Sequence, residues 1–216
     1  MFYSFGVIPV IEIDSDDNAV PLAESLCEAG LPIMEVTLRT EAALESIRRI
    51  SQKVPKLLLG AGTVIDREQA KATQDAGAQF IVSPGLDEEL VIWCQKNSIP
   101  TLPGAVTPTE IMRGIKLGVN LLKFFPAETL GGLKALNAIS DPFPQVRFVP
   151  TGGVRAENLA EYLQVDKVYA VGGSWMAKRQ MIAEHKFDEI VRLSKQAGDI
   201  VKKIHRKNLK DKIQSK

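Results

Sequence analysis

The chain has 216 residues and contains no Ser/Gly/Pro-rich linker, charge block or change of composition that would divide it, so we expect one domain over residues 1–216. A compact domain of this length buries roughly 70% of the surface that its unfolded chain exposes, so its core needs neither disulfides nor a structural metal. Because 27 Lys and Arg nearly balance 26 Asp and Glu, the net charge of +1 argues against a nucleic-acid or membrane-surface role.

Cysteine and histidine are sparse. Cys27 and Cys94 lie far apart without Cys-x-x-Cys spacing, which indicates buried thiols in a reducing compartment. The N-terminus lacks the basic region of a signal peptide and no apolar stretch is long enough to span a bilayer, so a cytoplasmic location is expected. His185 and His205 come late in polar surroundings, which disfavours a His-ligated metal. From about Lys202 onward, basic residues predict a solvated helical extension.

Short β-rich runs alternate with longer segments of helical pattern along the whole chain. The predicted strands are residues 7–13, 33–38, 56–60, 79–83, 99–102, 120–124, 146–151 and 168–171. A capping box at residues 107–110 marks one helix start most clearly. Eight strands separated by helices indicate a parallel α/β architecture, because parallel neighbours need a crossover of a dozen or more residues.

The number of βα units favours a single-domain (β/α)₈ TIM barrel at the small end of its size range. An open doubly wound sheet is the alternative. Such sheets usually carry a G-x-G-x-x-G turn after the first strand, whereas here the predicted first strand leads into residues 14–17, which read Asp-Ser-Asp-Asp. The barrel is therefore the preferred prediction.

Lys123 lies inside the apolar run of residues 121–126, where an ammonium group is unexpected. A lysine at a strand end can extend its amine to water, and a lysine placed for that reason would have no functional role. Desolvation, however, favours the neutral amine, which can attack a carbonyl and form a Schiff base. The neighbouring motifs decide between the two readings.

Polar residues follow several predicted strands, at the end of a barrel where catalytic residues gather. Strand alternation puts Glu35, Thr37 and Arg39 on one face, so a carboxylate and a guanidinium share one side of a strand. A structural Glu–Arg pair would give the same pattern. Residues 60–63, Gly-Ala-Gly-Thr, would let a ligand approach the backbone, although ordinary turns also use these residue types.

Paired glycines follow the seventh and eighth predicted strands, at residues 150–153 and 172–174. Their backbone N–H groups and a following helix N-terminus predict a phosphate cradle at the place where barrels often bind phosphate. Together with Lys123 as nucleophile, Arg39 as a carboxylate clamp and Glu35 as proton carrier, the cradle predicts an α-keto acid substrate with a distal phosphate. An iminium on Lys123 would permit reversible C–C cleavage without a metal.

Six collinear motifs carry a family resemblance, and they are residues 35–40, 60–64, 83–85, 123–128, 150–154 and 172–175. On these motifs the chain resembles the 2-keto-3-deoxy-6-phosphogluconate (KDPG) aldolases, a family that includes 4-hydroxy-2-oxoglutarate (KHG) aldolase. The resemblance covers about residues 7–200, and the extension from Lys202 lies outside it. It implies a metal-independent class I aldolase of the Entner-Doudoroff pathway that forms pyruvate and glyceraldehyde 3-phosphate and also acts on KHG.

The resemblance also implies residue roles. Lys123 would form the Schiff base, Glu35 would be the general acid and base, and Thr151 would orient substrate hydroxyls. Arg39 and Thr63 would bind the pyruvate carboxylate.

Further implied positions lie at the phosphate and along the pocket wall. The expected phosphate ligands are Gly152, Gly153, Gly173 and Ser174, and the expected wall residues are Pro84 and Phe125. The resemblance implies no cofactor and no metal, and it implies a homotrimer, a state that the sequence itself does not indicate.

Three other functions fit parts of the pattern. The first is the aldolase for the galactonate-derived epimer, which would use the same lysine chemistry and differ in a few pocket contacts. The second is a phosphosugar isomerase or epimerase that uses a metal or paired carboxylates, against which the missing histidine cluster counts. The third is a non-catalytic phosphometabolite-binding protein, which would have no need of Glu35, Arg39 and Lys123 together.

Overall fold

Strands and helices alternate through the computed structural model, which describes the backbone of residues 2–214 and the side chains of residues 2–204. The strands are β1 (Val7–Ile11), β2 (Ile33–Thr37), β3 (Leu58–Gly62), β4 (Phe80–Val82), β5 (Thr101–Leu102), β6 (Leu121–Phe124), β7 (Arg147–Pro150) and β8 (Val171–Gly173). The helices are α1 (Ala19–Glu28), α2 (Ala43–Lys53), α3 (Arg67–Asp75), α4 (Glu88–Lys96), α5 (Pro108–Lys116), α6 (Gly132–Ser140), α7 (Ala156–Leu163), α8 (Arg179–Ala183) and α9 (Phe187–Gln214).

All strand pairs are parallel, and together they close a barrel. Six strands form a curved sheet in the order β5-β4-β3-β2-β1-β8, and β6 pairs with β7. A bridge between Gly104 and Lys123 joins the two sheets at one seam, and bridges between Phe148 and Val168 and between Thr151 and Gly172 join them at the other. The predicted (β/α)₈ barrel is therefore confirmed, and the open doubly wound alternative is wrong.

The core lies between the barrel strands and the surrounding helices. All five residues of β2 are buried, as expected for a parallel strand covered on both faces. Helix α2 contributes Ala43, Ile47 and Ile50, whose spacing places them on one helical face. Helix α9 packs against α1 and α7. The side chains of the predicted basic extension beyond Ile204 lie outside the described residues.

Two strands lie farther along the chain than predicted. Strand β3 ends at Gly62 and β8 ends at Gly173, so glycines that read as turns belong to strands. The reason is close packing, because a Cβ on Gly62 would lie 2.0 Å from Glu35 Oε1 and one on Gly172 would lie 2.3 Å from the Thr151 hydroxyl. Glycine in these strands leaves space for a neighbour rather than ending the strand.

Helix α5 begins with the capping box that the sequence predicts. The Thr107 side chain accepts a hydrogen bond from the Glu110 backbone N–H, and the Glu110 carboxylate accepts from the Thr107 N–H at 2.9 Å. Pro108 occupies the first turn, where a missing N–H costs nothing.

Candidate active site

A cavity of about 210 Å³ opens at the carboxyl ends of the strands. It is lined by residues from five strands and the loops that follow them, namely Val10, Glu12, Thr37, Arg39, Lys123, Phe125, Thr151, Gly152, Gly153, Val154, Gly172, Gly173 and Ser174. The C-terminal face of a parallel barrel is where ligands bind in this architecture. The predicted lysine, arginine and glycine cradles therefore surround one space.

Lys123 and Glu35 form a buried pair at the inner end of the cavity. Their side chains are only 7% and 3% exposed, and Lys123 Nζ lies 3.3 Å from Glu35 Oε1. The residues come from β6 and β2, and the pair forms across the barrel interior. Because a buried charge is costly unless it is paired, each group stabilises the other in a place where neither would be stable alone.

Gly62 provides the space that the Glu35 carboxylate occupies. A Cβ at this position would lie 2.0 Å from Glu35 Oε1. No other residue type fits beside that carboxylate without moving it. The small residue that the sequence marks as a ligand approach is thus, in the structure, a requirement of the Lys123–Glu35 pair.

Arg39 lies at the outer rim of the cavity and contacts two side chains. Its Nε donates to Thr63 Oγ1 at 3.3 Å, and its Nη1 lies 3.0 Å from Glu12 Oε1. Thr63 has φ of +59°, a left-handed conformation that is uncommon for a residue other than glycine. These two contacts hold the guanidinium at the cavity, and they use only part of its five N–H donors.

The two glycine segments lie side by side as predicted. Gly152 and Gly153 both have left-handed backbones, with φ of +95° and +84°. Thr151 is buried beneath them, and its hydroxyl donates to the Val149 carbonyl at 3.4 Å. Helix α7 follows this loop closely, whereas the five-residue helix α8 begins only at Arg179, so the helix that we expected directly after Ser174 is absent there.

Glu128 supports the first glycine segment from behind. Its backbone N–H donates to the Gly152 carbonyl at 3.0 Å, and its carboxylate accepts a hydrogen bond from the Tyr162 hydroxyl. Burial and this carboxylate hold the pKa of Tyr162 above its usual range, so the phenol remains a donor. A Cβ on Gly153 would lie 2.5 Å from Glu128 Cβ, so glycine is required at this contact.

Comparison with known proteins identifies the family. The family model described as "Aldolase: KDPG and KHG aldolase" matches residues 3–193. The chain belongs to this family. The predicted resemblance is confirmed.

Individual KDPG and KHG aldolases match along nearly their whole length. The 2-dehydro-3-deoxy-phosphogluconate aldolase of Treponema pallidum is 47% identical over 195 residues, which cover 90% of this chain and 93% of that protein. The KHG/KDPG aldolase of Escherichia coli K12 is 44% identical over 191 residues, which cover 88% and 90%.

A solved structure of the family matches the fold closely. The KDPG aldolase of Legionella pneumophila superimposes with a TM-score of 0.88 at 43% identity, covering 91% of this chain and 95% of that one. In that crystal structure pyruvate was captured at low pH as a covalent carbinolamine intermediate. A carbinolamine is the adduct that a lysine amine forms with a keto group before water is lost.

Within this member of the KDPG and KHG aldolase family, most of the predicted site residues line the cavity, and three do not, namely Glu35, Thr63 and Pro84. Glu35 contacts the cavity residue Lys123. Thr63 reaches the cavity through its contact with Arg39. Pro84 lies among the residues that line a neighbouring cavity of about 240 Å³, and its carbonyl packs against Gly104. Phe125 lines the main cavity, with its ring centroid 5.3 Å from Lys123 Nζ.

Sequence reasoning missed Glu12, which lines the cavity and pairs with Arg39. The signal was present, since Glu12 is the one charged residue in the apolar run of residues 7–13. No group of three or more His, Cys, Asp or Glu that could hold a metal occurs among the described residues. No helix in the described part of the chain is long and apolar enough to cross a membrane.

Proposed function

We propose that this protein is a class I aldolase that cleaves KDPG reversibly to pyruvate and glyceraldehyde 3-phosphate through a Schiff base on Lys123, and that it also acts on KHG. The observation that carries the proposal is the buried contact of 3.3 Å between Lys123 and Glu35 in a cavity that also holds Arg39. The names of the relatives support both substrates.

The pair supplies the proton movements that imine formation needs. Transfer of one proton from Lys123 to Glu35 gives a neutral amine and a neutral carboxylic acid, so it leaves no separated charge in the cavity. The amine adds to the keto carbon, and the acid protonates the resulting hydroxyl so that water leaves and an iminium forms. Glu35 is then again a carboxylate.

Cleavage uses the iminium as an electron sink. Glu35 accepts the proton of the hydroxyl group on C4, two carbons away from the iminium carbon C2, and C4 becomes the aldehyde of glyceraldehyde 3-phosphate as the C3–C4 bond breaks. The electron pair of the broken C–C bond moves toward the iminium and gives an enamine. Protonation of the enamine carbon, followed by hydrolysis, releases pyruvate and regenerates the amine. No metal is needed in any step.

The remaining site residues bind and orient the substrate in this proposal. Arg39, supported by Thr63, binds the pyruvate carboxylate with a guanidinium fork. Thr151 orients the substrate hydroxyls and Phe125 packs beside the chain. Pro84 acts indirectly, because it packs against Gly104, whose backbone pairs with Lys123. The phosphate is bound by Gly152, Gly153, Gly173 and Ser174.

The wider setting is also part of the proposal. We propose a cytoplasmic homotrimer built from one barrel domain per chain, in which the basic extension from about residue 202 is the end of helix α9. Free Cys27 and Cys94 support a reducing compartment. Light scattering after size exclusion should give three times the chain mass of 23.7 kDa, and a monomer or dimer mass would contradict the trimer.

Pyruvate and borohydride test the proposed chemistry directly. Reduction of the imine should leave a stable adduct on the peptide that contains Lys123, seen as a mass increase, while Lys123→Arg should stay unmodified. An unmodified wild-type lysine under conditions that label a known aldolase would refute the Schiff base. Turnover of KDPG compared with its galactonate-derived epimer checks the substrate, and a preference for the epimer would overturn our choice.

A further inference from the structure

The cavity has too few cations for the proposed substrate. The charged side chains that line it are Glu12, Arg39 and Lys123. The proposed function assigns Arg39 to the carboxylate and Lys123 to the imine. A phosphate carries about −1.5 to −2 charge at pH 7, and at its end of the cavity the described lining offers only backbone N–H groups and the Ser174 hydroxyl.

Arg179 does not line the cavity itself, but it contacts the lining residue Glu12. It is the first residue of α8, in the segment that follows the cradle residue Ser174. Its Nε donates to Asp14 Oδ2 at 2.5 Å, and its Nη1 lies 3.6 Å from Glu12 Oε2. The guanidinium is thus anchored against Glu12, a residue of the cavity lining, with 60% of its side chain exposed.

Glu12 connects the two arginines. Its Oε1 pairs with Arg39 and its Oε2 with Arg179, so one carboxylate bridges both guanidinium groups. Such partly exposed ion pairs contribute little stability and exchange partners readily. An incoming ligand with an anion at each end can therefore replace Glu12 at both arginines, the carboxylate at one and the phosphate at the other.

We propose that Arg179 is the cation that binds the distal phosphate, and that Asp14 and Glu12 hold it beside the Gly173–Ser174 segment before substrate arrives. This inference rests on the proposed aldolase function. A guanidinium suits the role because its planar fork donates two hydrogen bonds to phosphate and never loses its charge. Arg179 thus selects phosphorylated over unphosphorylated substrates, and the glycine segments shape the site that it completes.

The condensation direction gives a matched pair of substrates. Pyruvate is condensed with glyceraldehyde 3-phosphate or with glyceraldehyde, which differ only in the phosphate. Arg179→Ala should lower kcat/KM for glyceraldehyde 3-phosphate by about 10- to 100-fold, the value of a charged hydrogen bond, and change that for glyceraldehyde less than about twofold. The KM for pyruvate should stay unchanged, and inhibition by inorganic phosphate should weaken.

Two further variants sharpen the test. Arg179→Lys keeps the charge without the fork, so it should recover part of the phosphate preference. Lys178→Ala removes the adjacent exposed cation and should leave the preference intact. Equal losses for both aldehydes, an unchanged preference in Arg179→Ala, or the same change in Lys178→Ala would overturn the inference. If the wild type gives no borohydride adduct, the proposed aldolase function itself fails. That failure is distinguishable from a failure of the inference, which is measured by the preference for glyceraldehyde 3-phosphate over glyceraldehyde.

Discussion

The two ends of the cavity hold their charges in opposite ways. At the inner end, Lys123 and Glu35 are almost fully buried and each is the other's ion-pair partner. At the rim, Arg39 and Arg179 share Glu12 and remain partly exposed. The inner pair is fixed by its desolvation, since neither group is stable there alone, whereas the rim pairs are screened and can exchange. The proposed function thus assigns the chemistry to the end with fixed partners and substrate binding to the end with replaceable ones.

Removing one member of the inner pair should give the largest effect. Lys123→Met should abolish cleavage, with a loss on the order of 10⁴-fold or more, because no amine remains to form the imine. It should also destabilise the fold by about 3–5 kcal/mol, because Glu35 is left buried and unpaired. Steady-state assays and urea unfolding measure the two effects.

A double variant separates the two effects of this substitution. Lys123→Met with Glu35→Gln should recover much of the lost stability and none of the activity. Equal stability of the single and double variants would show that the inner pair is not held together by its desolvation.

Neutralising one carboxylate at each end tests the contrast directly. Glu35→Gln should lower kcat by about 10²- to 10⁴-fold, since the proton carrier is lost, while pyruvate can still be trapped on Lys123 after long incubation. Glu12→Gln should change kcat less than about tenfold, because the rim pairs are exposed. Measuring kcat at saturating KDPG tests both predictions. A similar loss of kcat in the two variants would contradict the difference between the inner pair and the rim pairs.

Displacing the inner carboxylate without removing it should have a smaller effect. Gly62→Ala places a Cβ 2.0 Å from Glu35 Oε1 and must push the carboxylate away from Lys123. We expect about a tenfold loss of kcat or more, in line with the cost of misplacing a catalytic group. Gly198→Ala is the control, since a Cβ there meets nothing within 4 Å. A Gly62→Ala enzyme with the wild-type kcat would contradict the fixed inner pair.

A carboxylate outside the cavity should give the smallest effect. Burial acts to raise the pKa of Glu110, but hydrogen bonds from the Val106 and Thr107 N–H groups and the Thr107 hydroxyl outweigh it, so the pKa lies below its ordinary value of 4.5. A lowered pKa in the folded state adds stability above the unfolded value, which is lost as the pH falls through the folded value. Glu110→Gln should therefore cost about 0.5–1 kcal/mol at pH 7, the value of a cap.

This capping effect has a distinct pH signature. The stability difference between wild type and Glu110→Gln should shrink as the pH falls below about 4.5, and kcat at pH 7 should not change. Thermal unfolding across this pH range provides the measurement. If the difference in stability between wild type and Glu110→Gln stays constant with pH, the ionised Glu110 carboxylate is not its cause.

Local pattern was enough to predict the barrel. Apolar runs separated by helical segments are visible in the sequence, and a chain with eight such units has few ways to bury them. The ends of β3 and β8 were misplaced because Gly62 and Gly172 read as turns. Their true role depends on Glu35 and Thr151, which are distant in sequence and touch them only in the folded barrel.

The same limit applies to the site. Lys123 was found because a lysine in an apolar run is anomalous, and Glu12 carries the same signal in a run that we took for an ordinary strand. Its pairing with Arg39 needs the parallel register of β1 and β2, which no local pattern reveals. Arg179 has no sequence signal at all, because an exposed arginine at a helix start is common and only Asp14 and Glu12 mark its position.

Lys123 also occupies a seam of the barrel. Its backbone N–H donates to the Pro103 carbonyl at 2.8 Å, and its carbonyl accepts from Ala105 at 2.9 Å, next to the single bridge through Gly104. Its side chain meets Glu35, which is 88 positions away in the chain. The Lys123–Glu35 pair therefore forms only when the first half of the polypeptide packs against the second. Covalent capture of pyruvate during refolding should therefore measure the fraction of molecules in which the two halves have packed together. A chain in which they have not packed together should stay unlabelled.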